Sequence, residues 1–307
     1  ADDNVAVGYY SLSENTTGHS NVAVGKSSLA AATTANSNTA VGANALDATT
    51  TGAANTAIGR NALTANTTAS DNVAVGFGSL QANTTGSQNT AVGLYSGLDI
   101  TTGTFDTAIG YRSMGNGATT TASYNTAIGA YTLDACTSGA GNNAMGYAAL
   151  SALTTGSENT GLGMYALQAV TTGNYNVAVG DEAGGALVSG TENTFMGFLS
   201  GRYTGSSDNP DYNTGFGSRT LYANTTGERN VAMGAYSLNA NTTASNNTAV
   251  GYNSLAANTT GTENTALGAY ALDAATTAGD NCVVGYGAGG AITTGDSNTA
   301  MGYGAGG

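Results

Sequence analysis

The 307-residue chain predicts an all-β fold, a parallel β-solenoid (β-roll) of about 18 short rungs. Three observations carry that expectation. First, a 17-residue unit reading roughly N-[T/V]-A-[V/I]-G-x-x-[A/S]-L-x-A-N-T-T-G-x-x starts at Asn4 and recurs at Asn21, Asn38, Asn55, Asn72, Asn89, Asp106, Asn125 and onward to Asn298. A short fixed period over a whole chain describes stacked rungs that bury apolar surface only against their neighbours. Second, a β-branched stretch closes on Gly in all 18 units, the signature of a strand followed by a turn. Third, none of the 25 charged residues falls within that stretch. The period spans residues 1–307 as one repeat domain, with two longer units at 106–124 and 193–212.

Taking the Asn as position 0, the elements follow in order. Position 0 is Asn in 17 of 18 units, and its amide can donate and accept to the same residue one rung above and below. Asn4, Asn21, Asn38, Asn55, Asn72 and Asn89 therefore read as a structural ladder. Position +1 is β-branched in 16 units, +2 is Ala in 14 and +3 is apolar in all 18, which predicts a short strand. A helix is excluded, because a central Gly and a Thr-Thr-Gly close replace the residues that a helix needs. Strand parity sends +1 and +3 one way and +2 the other. Uniform Ala fits a thin coil interior, and the Val/Ile face then needs other chains to cover it.

Position +8 is Leu in 12 units, Met114 in one and Gly in five. Three of the Gly units put Ile100, Leu187 or Ile292 at +11, so apolar volume moves rather than vanishes, as in a packed core. Thr-Thr-Gly at +12 to +14 reads as the return turn. The charge pattern places +1 to +4 and +7/+8 inside and the rest in solvent. Twelve of the 17 tyrosines fall at +5 or +6, so stacking would gather them into files along one ridge. Tyr131, Tyr147, Tyr165, Tyr236, Tyr252 and Tyr270 are its candidate surface-binding residues.

Composition narrows the partners. The net charge is −13 with six Lys and Arg, a poor match for nucleic acid or anionic lipid. No apolar run is long enough for a transmembrane helix. Cys136 and Cys282 lie nine units apart, roughly 43 Å at ~4.8 Å per rung, too far for a disulfide. Cys282, at a Thr/Val phase, reads as a small buried hydrophobe.

The N-V-A-V-G of residues 4–8, 21–25, 72–76 and 176–180, with N-T-A-[V/I]-G elsewhere, resembles the S-V-A-I-G signature of trimeric autotransporter adhesin heads. The resemblance implies a left-handed parallel β-roll and three chains side by side, their inner strands forming the trimer core. Those heads commonly use a shorter rung, so the outer loop does not transfer. The full 17-residue unit is more similar to repeats of large bacterial surface proteins and phage tail-fibre-like proteins. This likeness implies an extracellular homotrimeric fibre on a cell surface, filament or virion.

The chemistry of an enzyme is not evident. His19 stands alone at a solvent phase, no Cys-x-x-Cys occurs, and Asp2-Asp3 and Asp181-Glu182 are the paired carboxylates. Gly285-x-Gly287-x-x-Gly290 and Gly302-x-Gly304-x-x-Gly307 match a dinucleotide fingerprint, but each starts at the repeat's own turn glycine. Asn15, Asn66, Asn83, Asn224, Asn241 and Asn258 begin formal N-glycosylation sequons that the repeat itself generates. The reading expects no catalytic site, metal or cofactor. It expects a structural or adhesive fibre, part of a longer one or self-associating end to end, with a cell-surface glycan or protein as further partner. A phage tail-fibre shaft and an ice- or surface-binding solenoid are the alternatives. The longer units place their extra residues at 111–124 and 202–212, as tolerated surface insertions or, alternatively, as bulged loops used for recognition.

Overall fold

The computed structural model describes residues 2–116, 120–203 and 210–307. It divides into two compact units, Ala1–Thr155 and Gly156–Gly307, although the sequence period runs unchanged from Asn142 to Asn159. The first holds β1 (Val5–Val7), β2 (Val22–Val24), β3 (Thr39–Val41), β4 (Thr56–Ile58), β5 (Val73–Val75), β6 (Thr90–Val92), β7 (Thr107–Ile109), β8 (Thr126–Ile128) and β9 (Asn143–Met145). The second holds β10 (Thr160–Leu162), β11 (Val177–Val179), β12 (Thr194–Met196), β13 (Thr214–Phe216), β14 (Val231–Met233), β15 (Thr248–Val250), β16 (Thr265–Leu267), β17 (Cys282–Val284) and β18 (Thr299–Met301). Within each unit successive strands pair in parallel, each residue beside its equivalent in the next rung: Val5 with Val22, Thr56 with Val73, Val231 with Thr248. Register survives the long rungs, where Thr107 pairs with Thr126 and Thr194 with Thr214. This is the parallel β-solenoid that the period predicts.

Each rung spends three residues on its strand and then turns twice. In the fifth rung the Ser79 N–H donates to Gly76 O at 3.4 Å and the Asn83 N–H to Leu80 O at 3.1 Å. Rungs are also bonded outside the strands: the Leu12 N–H donates to Ser28 O and the Glu14 N–H to Ala30 O, both at 3.1 Å. The +4 glycine is required. Its φ lies between 116° and 139°, and a Cβ on Gly76 would run into the carbonyl of Gly93. Positions −1, +6 and +8 also take positive φ, even where occupied by Glu158, Tyr131 or Leu80.

The interior is thin. Ala at +2 is fully buried in nearly every rung, as are Ser or Ala at +7 and Leu at +8. Positions 0, +11 and +14 are interior too, which the charge pattern did not reveal. Conversely, +1 and +3 are half-buried or exposed, because parity aims them off the sheet. The expectation that +1 to +4 lie inside thus holds for +2 alone among the strand positions.

Leu at +8 adopts φ of 48° to 53°. That backbone costs ~1–2 kcal/mol for a residue with a Cβ, and burying the side chain returns ~1.5–3 kcal/mol. Gly at +8 avoids the strain but leaves a void, filled in two ways. At Gly97 and Gly289 the side chains of Ile100 and Ile292 at +11 supply the volume. At Gly201 the filler is Phe195, a fully buried residue at the +2 position normally held by Ala. Its ring faces Gly184 and Gly215 as well as Gly201.

Two outcomes follow. Gly76→Ala lowers the urea midpoint by an amount equivalent to about 2 kcal/mol or more, since positive φ and the next rung's carbonyl both oppose a Cβ. Gly97→Leu and Ile100→Ala each destabilise by ~1–4 kcal/mol, whereas the double variant, which restores the commoner rung, recovers most of the loss in a double-mutant cycle.

Candidate interaction surfaces

The asparagine ladder organises everything outside it. The Asn21 N–H and Nδ2 both donate to Asn4 Oδ1, at 2.9 and 3.1 Å, and Asn4 Nδ2 donates to the carbonyl of Gly18 at 2.8 Å. Asn38 and Asn55 repeat the pattern, each also clamping its own rung's +14 carbonyl, Gly52 and Ala69. Asn72 and Asn89 continue it onto Gly86 and Gly103. One side chain thus links two rungs and closes its own.

A second ladder runs at +11. Asn241 Nδ2 donates to Asn224 Oδ1 at 2.8 Å and Asn258 Nδ2 to Asn241 Oδ1 at 3.1 Å, each also reaching its +14 carbonyl. These Asn residues, with Asn66 and Asn83, are fully buried, so the sequons they begin are closed once the chain folds.

The strand face is the first candidate surface. In the first unit it presents Val7, Val41, Ile58, Val92, Ile109 and Met145 at +3. In the second it presents Phe216, Met233, Leu267 and Met301. Ile58 is 42% exposed and Phe216 51%. Cys282 lies on this face at +1 and is exposed, contrary to the expectation of a buried hydrophobe. A β-branched phase signals a strand, not an inward direction. Cys136, at +11, is the buried one, and burial pushes its thiol up to about 12.

The ridge at +5/+6 is the second. In the first unit Tyr131 meets Tyr111 and Tyr147 edge-on, with centroids 5.3 and 5.8 Å apart. In the second, Tyr236, Tyr252, Tyr270 and Tyr286 follow one another at 6.1, 5.4 and 5.7 Å, and Tyr303 stacks on Tyr286 at 5.4 Å. Tyr165 holds the same phase. Tyr147 and Tyr252 at +5 are exposed, whereas Tyr131, Tyr165, Tyr236 and Tyr270 at +6 are half-buried. Lost hydration, then the neighbouring Tyr111 and Tyr147, push the Tyr131 phenol up; the same causes act on Tyr270 between Tyr252 and Tyr286. Cations join the ridge: Arg60 lies over Phe77 and Arg219 over Tyr236, 5.7 and 5.9 Å from the ring centres.

A further set of exposed aromatics occupies −1: Phe105, Tyr124, Tyr175 and Tyr212. Phe105 and Tyr124 stack at 5.1 Å. Their common phase is legible in the sequence, each standing immediately before position 0.

The remaining motifs fall on the repeat's surface or turns. His19 is exposed, its Nδ1 3.3 Å from Ser20 Oγ. The 285–290 glycines sit in the turns after β17, with no helix among the described residues. Among the described residues no three His, Cys, Asp or Glu side chains group as metal ligands, and no helix is long and apolar enough to cross a membrane. The candidate bulged loops reach outside the described residues at 117–119 and 204–209.

A thiol reagent applied to the native chain labels Cys282 rapidly and Cys136 at least ~100-fold more slowly, read by peptide mass; equal rates would contradict the burial of Cys136. No protein-family model matches the chain, and no curated protein matches it.

Proposed function

We propose that the chain is a structural and adhesive element of an extracellular fibre, assembled side by side as a homotrimer through its strand face. One observation carries this reading: an apolar residue at +3 in all 18 rungs, on a face that parity turns away from the coil interior. An isolated soluble chain has no use for apolar side chains along such a face, and contiguous exposed apolar surface of this kind marks association sites. The resemblance to trimeric adhesin heads supports three chains. A phage tail-fibre shaft is the same architecture in another setting.

The exposed tyrosines favour an adhesive role beside the structural one. Tyr gives a rigid apolar plane with a hydroxyl, suited to sugar or protein surfaces. The ice-binding alternative loses ground because the first Thr of each pair donates its hydroxyl to the next rung. Thr33 Oγ1 donates to Thr50 O, Thr50 Oγ1 to Thr67 O and Thr67 Oγ1 to Thr84 O, at 3.1 to 3.2 Å. In most rungs only the second Thr of the pair is exposed, a single file rather than a flat array.

Light scattering tests the assembly: a mass of three chains is expected, and a monomer would refute it. Ile58→Asp with Val92→Asp should dissociate the particle while the circular dichroism stays unchanged. Replacing Tyr236, Tyr252 and Tyr270 together by Ser separates the ridge's roles. Intact assembly with lost adhesion to cells or glycans identifies a receptor surface, and lost assembly identifies packing between chains.

A further inference from the structure

The ladder has one carboxyl. Asp106 occupies position 0 of the seventh rung and is 1% exposed. Its backbone N–H donates to Asn89 Oδ1 at 2.9 Å, and its Oδ1 accepts the Asn125 N–H and Nδ2 at 2.9 and 3.2 Å. Up to this point it behaves as an Asn. Its Oδ2, however, has no hydrogen-bond partner among the described residues.

Comparison with an ordinary rung shows where that oxygen stands. Asn176 Nδ2 donates to Gly190 O at 2.7 Å, and a Cβ on Gly173, one rung earlier, would lie 3.1 Å from that Nδ2 and against that carbonyl. The corresponding Cβ on Gly103 would lie 2.8 Å from Asp106 Oδ2 and against the carbonyl of Ala122. An oxygen therefore occupies the place from which every ordinary rung donates a proton to its own turn. If ionised, the side chain turns negative charge toward a carbonyl in a buried site; if protonated, it donates as an amide does.

We propose that Asp106 is held protonated at neutral pH, with its Oδ2–H donating to Ala122 O, and that ionisation at higher pH makes the seventh rung a seam at which the stack loosens. Among the described residues no lysine or arginine counters the charge; only the Asn125 bonds oppose the effect of burial. Around Asp106 stand Asn89 from the rung before, Asn125 from the rung after, the Gly103 and Ala122 turns, and the Cys136 thiol, the titratable group that interacts with it. Burial pushes the Asp106 carboxyl up to about 7, against the opposing bonds from Asn125. The sign follows from linkage. A proton held more tightly in the folded rung than in the unfolded chain stabilises the fold fully below the ordinary carboxylate value of 3.8, and this contribution is lost as pH rises through about 7.

Hydrogen exchange by mass spectrometry tests this on the intact chain, with intrinsic exchange chemistry corrected at each pH. Between pH 5.5 and 8.5, protection of peptides covering 104–126 should fall at least ~10-fold in the wild type. It should stay level in Asp106→Asn, and peptides covering 38–56 should stay level in both. Asn72→Asp should transplant the same pH dependence to the fifth rung. In the infrared spectrum, a protonated-carboxyl band should be present at pH 6, vanish by pH 9 and be missing from Asp106→Asn. Level protection in the wild type, or the lack of that band, would overturn the proposal. The exchange and infrared results on the wild type together decide the matter even if a variant fails to fold.

Discussion

The amide at position 0 is the interaction on which the rest depends. A rung contains little apolar material: Ala at +2 and Leu at +8, joined in some rungs by Ala at +7 or +14 and an aliphatic side chain at +11. Dispersion and burial can compress such a coil, but they do not choose a register. The Asn side chain does: its oxygen takes two donors from the next rung, and its remaining N–H holds the +14 carbonyl. Each of these groups is buried, so a slipped rung would strand several of them at ~1–3 kcal/mol apiece. Because the amide is polar along the axis, the ladder also has a direction.

The sequence disclosed whatever repeats with a chemical preference. Gly at +4, Ala at +2, Asn at 0 and Leu at +8 each state their environment through residue type, and the exchange of Leu at +8 for Ile or Leu at +11 was readable as volume bookkeeping. Three things were less legible. Positive φ at −1, +6 and +8 is hidden because Leu, Tyr and Glu occupy these positions as readily as Gly or Asn do; tertiary packing overrides local preference. The direction of +1 is not legible at Cys282, since a β-branched phase is common to both faces of a sheet. Phe195 shows no period of its own, and only the surrounding Gly184, Gly201 and Gly215 explain why a ring fits.

The candidate surfaces were legible to differing degrees for the same reason. The +3 face and the +5/+6 ridge repeat, so their phases predicted them. The ridge's interior organisation did not: alternation between exposed +5 and half-buried +6 residues produces edge-on contacts, because successive rings start from different backbone conformations. Aromatic rings favour that geometry over face-to-face stacking. A flat array of ring faces is thus confined to a few pairs such as Tyr286 with Tyr303 and Phe105 with Tyr124.

The clamp on the +14 carbonyl has a further bearing on the long rungs. In the rung beginning at Asn193, three additional residues separate the amide from the carbonyl that it holds, yet Asn193 Nδ2 still reaches Pro210 O at 2.8 Å and Thr194 still pairs with Thr214. The circumference of a rung is therefore uncoupled from its axial position: the chain may lengthen between the inner Leu side and the clamp without disturbing the rungs on either side. Such a coil works as a ruler with a variable outline, on which sequence drift can build side loops at chosen heights while the spacing of the rungs stays constant.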